Sequence, residues 1–216
     1  MVPHPHEAKF DFAGMQRKGV GHGVKISGMS QADASNAKKL LRAQLSAARH
    51  DLVRHPDVAQ GLERQLLRLT HHLGAKIVAA YLPFGTEPNI YQFVTGAAGH
   101  GIRLIMPVSH LDGSLRWVHY TGESAPGIFG FDEPVGPEAA LTDAQLILIP
   151  ASAVDTRGNR LGKGKGFYDV ALADASVTAP VAAVVYDSEV LADIPVEDHD
   201  QPVGFVVTPS QLIEIG

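Results

Sequence analysis

The segment Arg160-Leu161-Gly162-Lys163-Gly164-Lys165-Gly166-Phe167-Tyr168-Asp169 concentrates residue types that bind polyphosphate. Glycines at alternate positions let the backbone approach a ligand and turn its N–H groups toward it. Arg160, Lys163 and Lys165 place three cations within six residues. A helix predicted to begin near Phe167 would add its N-terminal N–H groups, which favour an anion. The spacing excludes two other phosphate loops. G-x-G-x-G late in the chain is not the G-x-G-x-x-G of a dinucleotide fold, and no G-x-x-x-x-G-K-[ST] string occurs. A glycine turn with solvated lysines is the competing reading. Asp169 closes the segment. A carboxylate beside bound phosphates suits Mg²⁺, which keeps several waters and needs few protein ligands, and it equally suits support of a helix N-terminus. A second carboxylate is available in Glu197-Asp198-His199-Asp200, a tetrad that otherwise reads as a solvated turn.

Further candidates lie upstream. At about 100° per helical residue, Lys38, Arg42 and Arg49 fall within roughly 40° of one another beside a stripe of Leu41, Leu45 and Leu52. Cations bordering a buried face are placed to lean over the edge of a cleft, or else snorkel at a core boundary. Glu87, in YLPFGTE, follows an apolar strand at its carboxyl end. Phe129 and Phe131, in GIFGFDEP, supply aromatic surface for a flat heterocycle or for ordinary loop packing. The chain has no cysteine, so thiolate zinc sites, disulfides and cysteine nucleophiles are excluded. No Ser-His-Asp arrangement is evident. With a net charge of -5, no whole-chain basic field exists to hold nucleic acid or an anionic membrane.

The elements that must position these residues follow from periodicity. The 216 residues are 45% hydrophobic and 19% charged, a globular balance that suits one domain. Residues 1–29 show no sustained periodicity and read as a flexible leader, with His4-x-His6 a weak metal pair lacking a third ligand. The domain is expected over residues 30–216. Two helices come first, the second running from Pro56 to Gly74 with Val58, Leu62, Leu66, Leu69 and Leu73 on one face. Apolar runs then predict strands at Lys76–Pro83, Arg103–Val108, Leu146–Pro150, Val181–Tyr186 and Gly204–Thr208, with a half-exposed strand at Leu115–Tyr120. Helices fit at Asn89–Ala98, Phe167–Ala173 and Ser188–Leu191. This alternation predicts an α/β three-layer sandwich, a mainly parallel sheet with helices on both faces. Ligands in such sheets sit at the strands' carboxyl ends, just after Leu82, Met106 and Ile149.

Four ordered segments resemble the 5-formyltetrahydrofolate cyclo-ligase family, the methenyltetrahydrofolate synthetases. Lys38-x-x-Leu41-Arg42 is similar to its first-helix K-x-x-L-R. Tyr81-x-Pro83-x-x-x-Glu87 matches Y-x-P-x-x-x-E, and Gly130-Phe131-Asp132-Glu133-Pro134 resembles G-I-x-E-P. Arg160–Asp169 matches R-L-G-x-G-x-G-Y-Y-D, the most specific of the four; Glu197–Asp200 resembles a weaker E-x-H-D. The resemblance implies an ATP- and Mg²⁺-dependent conversion of 5-formyltetrahydrofolate to 5,10-methenyltetrahydrofolate through an N5-iminium phosphate, with release of ADP and phosphate. It implies ATP contacts from Lys38, Arg42, Arg160, Gly162, Lys163, Gly164, Lys165, Gly166, Phe167 and Tyr168, with Lys38, Arg160 and Lys165 catalytic. It implies folate contacts from Arg42, Leu82, Glu87, Phe129, Lys163 and Phe167, and Mg²⁺ on Asp169 and Asp200. The expected partners are therefore ATP and a folate, with no nucleic acid and no membrane, for a cytoplasmic monomer or weak homodimer. Val170 stands where the family often has Arg, and Gly204 where Asp often precedes the last strand. Ala151-Ser152-Ala153 replaces a glycine-containing segment, and Phe167 replaces a Tyr. A non-catalytic folate- or nucleotide-binding module is the alternative, followed by an RNA-binding protein.

Overall fold

Continuous apolar runs of four or five residues bury on both faces, so they form the interior of a sheet. In the computed structural model, which describes residues 16–18, 31–52, 55–197 and 200–216, this is what they do. The elements in chain order are β1 (Gln16–Lys18), α1 (Gln31–Leu52), α2 (Pro56–His72), β2 (Ile77–Ala79), α3 (Tyr91–Gly96), β3 (Arg103–Ser109), β4 (Leu115–His119), β5 (Glu123–Pro126), β6 (Asp132–Val135), β7 (Glu138–Ala139), β8 (Leu146–Pro150), β9 (Ala153–Asp155), β10 (Arg160–Leu161), α4 (Phe167–Leu172), β11 (Val181–Val184), β12 (Val190–Leu191), β13 (Phe205–Val207) and β14 (Leu212–Ile215). The main sheet has nine strands in the order β1-β14-β13-β11-β8-β2-β3-β4-β7. Its centre, β13-β11-β8-β2-β3, is parallel, and β4 and β14 are antiparallel to their inner neighbours. Gln16–Lys18, within the expected leader, pairs parallel with β14 at one edge. The His4-x-His6 pair lies outside the described residues.

Two cores flank the sheet, giving the expected three layers. On one face Leu62, Leu66 and Leu69 of α2 and Phe93 of α3 pack on Val78, Met106, Leu148 and Val184. On the other, Ala79, Ile105, Ile147, Ile149 and Val206 pack with Trp117, while Ala171 and Leu172 of α4 cover them. The leucine stripe of α1 has a different destination. Leu41 and Leu45 rest on Ala153, Leu161 and Ile194, beside a second, three-stranded sheet in the order β10-β9-β12. That sheet was not expected, because two- and three-residue strands are too short to show a period. The segment expected as a helix at Ser188–Leu191 is instead a 3₁₀ turn over Asp187–Glu189 that runs into β12, since parallel pairing with β9 claims its last residues.

The turn before β10 depends on Gly158. Its φ is +84°, and a Cβ there would lie 2.4 Å from the Val203 carbonyl oxygen, which accepts no such approach. Gly158→Ala combines left-handed strain with overpacking, roughly 2–4 kcal/mol together. Thermal denaturation should show the melting temperature falling by roughly 5–15 °C; an unchanged value would contradict the close approach.

Candidate functional site

Where the parallel strands end, their loops open a cavity of ≈ 640 Å³. The chain leaving β2 contributes Tyr81, Leu82, Phe84 and Glu87; β3 contributes Pro107 and Ser109; β8 contributes Pro150. These are the three strand ends singled out by the carboxyl-end rule. Residues 160–169 form one wall, α1 brings Lys38 and Arg42, and the tip and second strand of the β5–β6 hairpin bring Phe129, Phe131 and Glu133. Every residue expected to hold ATP, folate or metal lines this one space, including Gly162, Gly164, Gly166, Asp169 and Asp200.

The cations of α1 divide. Lys38 is buried, with its Nζ 2.6 Å from Glu197 Oε2 and 2.7 Å from Asp200 Oδ2. Arg42 donates from Nε to the Gly162 carbonyl at 2.7 Å, clasping the glycine loop. Gly164 beside that guanidinium has φ +92°, a left-handed conformation that favours glycine. Arg49 does not lean over the cleft as its helical angle suggested. It is buried and donates to both oxygens of Glu189, at 2.5 and 2.8 Å, and to the Ala151 carbonyl at 2.5 Å. Burial alone would lower its pKa, but hydrogen bonding and charge from Glu189 outweigh that and raise it. Arg49 therefore ties α1 to the end of β8, which sets where Lys38 and Arg42 stand.

In the loop, Arg160 is buried and its Nη2 lies 2.5 Å from Asp169 Oδ1. Its Nε is buried with no hydrogen-bond partner among the described residues, a donor whose desolvation is uncompensated until an acceptor arrives. Lys163 Nζ pairs with Glu87 Oε1 at 2.8 Å and lies 5.3 Å from the centre of the Phe84 ring. Lys165 Nζ lies 5.3 Å from the centre of Phe129 and has no carboxylate partner among the described residues. The loop is thus a cation cluster with unspent capacity, which favours the phosphate reading over a solvated turn. Asp169 and Asp200 each keep one oxygen in an ion pair. Among the described residues no group of three or more metal-ligating side chains occurs. Asp198 and His199 of the acidic tetrad lie outside the described residues.

Across the cavity the surface is aromatic. Phe84 and Phe131 stand 4.7 Å apart, Phe129 and Phe131 stack at 6.4 Å, and Phe129 meets Phe167 at 5.8 Å. Glu87 is buried; its Oε2 accepts from the Phe84 N–H at 2.8 Å. Glu133 Oε1 accepts from the Ser109 N–H at 2.8 Å and fastens the hairpin to β3. Burial raises the Tyr168 phenol, with the Glu87 carboxylate adding to it, and pushes Tyr186 up to about 12. Near neutral pH these phenols stay protonated and serve as donors, not bases. Tyr186, under Arg49, donates to the Glu87 carbonyl at 3.2 Å.

Tyr81, Phe84, Ser109 and Glu133 also line the site without having been singled out for a role. Phe84 and Glu133 sit inside motifs already noted, and that was their only signal; Ser109 is placed by sheet register alone. The departures at Val170 and Gly204 do not line the cavity: Val170 is exposed on α4, and Gly204 precedes β13.

Comparison with known proteins finds relatives of this chain. The profile of the 5-formyltetrahydrofolate cyclo-ligase family matches residues 34–209. A 5-formyltetrahydrofolate cyclo-ligase of Mycolicibacterium smegmatis is 39% identical over 150 residues, covering 65% of this chain and 77% of that protein. The Escherichia coli K12 protein of the same name is 32% identical over 149 residues, 65% of this chain and 81% of its own length. The fold is also that of the 5,10-methenyltetrahydrofolate synthetase of Aquifex aeolicus, with a TM-score of 0.66 at 24% identity, covering 82% of this chain and 92% of that one.

Proposed function

The chain belongs to the 5-formyltetrahydrofolate cyclo-ligase family, and we propose that it converts 5-formyltetrahydrofolate to 5,10-methenyltetrahydrofolate with ATP, releasing ADP and phosphate. The observation that carries this reading is the joining, in one cavity, of a cation cluster that includes buried Lys38 and Arg160 to an aromatic wall bearing Glu87.

The formyl oxygen on N5 is amide-like and leaves poorly. Transfer of the γ-phosphoryl group makes an O–P bond to that oxygen, breaks the bond to ADP, and leaves an N5-iminium phosphate. The N10 lone pair then attacks the formyl carbon, phosphate departs with the C–O electrons, and the N10 proton goes to water. No protein nucleophile takes part, so the chain's task is positioning and charge stabilisation. Lys38, Arg160 and Lys165 meet the phosphate charge, with Arg42 holding the loop and the backbone of Gly162–Gly166 cradling it. Lys163, paired with Glu87, sits at the seam between nucleotide and pterin. Leu82, Glu87, Phe129 and Phe167 bind the pterin. Two carboxylates plus substrate phosphates are a sufficient donor set for Mg²⁺, so Asp169 and Asp200 fit that ion, which neutralises charge on the phosphate oxygens when bound.

Protein mixed with 5-formyltetrahydrofolate, ATP and Mg²⁺ is expected to build up the absorbance of the methenyl product. Omitting ATP, or chelating the metal, should stop it. Tight folate binding without ADP release would identify a binding module instead, and folded protein that yields no product refutes the reading.

A further inference from the structure

The two carboxylates proposed to hold Mg²⁺ are engaged by the chain's own cations. Lys38 Nζ stands 2.7 Å from Asp200 Oδ2, with the side chains only 4% and 11% exposed. Arg160 Nη2, also buried, stands 2.5 Å from Asp169 Oδ1. At such depth water and salt screen these charges weakly. The Gln201 N–H, next in the chain to Asp200, reaches the same Asp169 oxygen at 3.5 Å, so the two carboxylates stand side by side. Both ion pairs lie in the one cavity.

A divalent cation on Asp169 and Asp200 would sit against the Lys38 ammonium and the Arg160 guanidinium. Like charges at contact distance repel strongly in a partly buried site. Two carboxylates are also few donors, and Mg²⁺ draws its remaining oxygens from water and substrate phosphates. A polyphosphate changes both conditions. It supplies oxygens to the metal, and it gives Lys38 and Arg160 a competing anion. Arg160 is ready for that exchange, since its buried Nε has no hydrogen-bond partner among the described residues. Lys38 is held in a different way. Its Nζ also lies 2.6 Å from Glu197 Oε2, and the Glu197 N–H donates to Asp200 Oδ2 at 2.7 Å. Glu197 can therefore keep Lys38 at the site when Asp200 turns to the metal.

Resting on the proposed ATP and Mg²⁺ reading, we infer that Lys38 and Arg160 mask the metal carboxylates until a nucleotide polyphosphate draws them off, with Glu197 the positioning residue that retains Lys38 through the exchange. The divalent cation then enters with the nucleotide and not ahead of it. Bare divalent cations are turned away from the carboxylates, and the charges that hold the phosphates are the same ones that close the metal site.

The test uses Mn²⁺ as the probe and water-proton relaxation as the readout, which distinguishes protein-bound Mn²⁺ from the free ion and from the ion on nucleotide alone. The nucleotide is the imidodiphosphate analogue of ATP, which does not transfer its γ-phosphoryl group. Wild-type protein should bind Mn²⁺ about tenfold or more tightly with the analogue than without it. Lys38→Gln removes the masking charge and should tighten Mn²⁺ binding by the protein alone about tenfold; adding Asp200→Asn should cancel that gain. Glu197→Gln leaves Lys38 to Asp200, so Mn²⁺ binding in the presence of the analogue should weaken several-fold. The metal-free Kd for the analogue should stay within about twofold in that variant, a split that general damage to the site would not produce. Wild-type protein that binds Mn²⁺ equally well with and without the analogue overturns the mask. So does a folded Lys38→Gln with unchanged Mn²⁺ affinity; should that variant not fold, Glu197→Gln with wild-type Mn²⁺ affinity overturns it. An analogue that fails to bind the wild-type protein would instead remove the ATP reading itself.

Discussion

Lys165→Ala is expected to lower kcat by about 10²–10³-fold, the range found when one preorganised donor to developing charge is removed, without lowering the melting temperature. Both halves of that expectation come from the same geometry. Lys165 is exposed, lies over the face of Phe129, and has no ion pair among the described residues to lose. Its charge contributes little to folding and, under the proposed function, meets the phosphate. Arg160 is a poorer probe, because it is buried against Asp169 and its removal would confound folding with catalysis. Measuring kcat and thermal stability on the same preparation checks the point. Wild-type turnover in Lys165→Ala would mean that the loop does not face the transferred phosphoryl group.

The largest loss of stability is expected at Arg49. Arg49 and Glu189 are both almost fully buried, in a two-point ion pair with a further Nη2 hydrogen bond to the Ala151 carbonyl. Arg49→Ala leaves Glu189 charged, buried and facing an emptied space, a situation that costs about 3–5 kcal/mol. For a domain of this size the melting temperature should drop by roughly 6–20 °C. The Arg49→Met, Glu189→Met double variant removes both charges and should recover much of the loss, because an apolar pair carries no uncompensated charge. If the double variant melts as low as Arg49→Ala, the pair's contribution is a specific geometry and not charge compensation. Since Arg49 also holds α1 against the end of β8, the single variant should loosen the helix that carries Lys38 and Arg42.

Several features needed no tertiary information. The buried strands β3 and β8 follow directly from runs such as RLIMPV and LILIP, which have no polar face to solvate. The apolar face of α2 is set by Leu62, Leu66 and Leu69. The glycine-cation loop was legible because alternate glycines, three cations and a carboxylate form a local pattern, complete within ten residues. Order along the chain linked it to Lys38–Arg42 and Glu87 before any contact was known. Strand ends were less legible. The run Lys76–Pro83 has a uniform apolar texture, yet only Ile77–Ala79 stays in the sheet, because from Tyr81 onward the chain leaves to build the cavity wall.

The glycine-cation loop, then, was legible from sequence alone as a candidate polyphosphate-binding element, since its chemistry is contained in its own residues. The partners of its charges were decided only by the tertiary structure. Arg49 and Arg42 share a helical face and differ by a few tens of degrees, yet one is sealed against Glu189 while the other clasps Gly162. Their difference lies in what packs opposite, 140 and 120 residues away in the chain. Helical spacing fixes direction around an axis, and long-range packing decides whether that direction ends in a cavity or in a core.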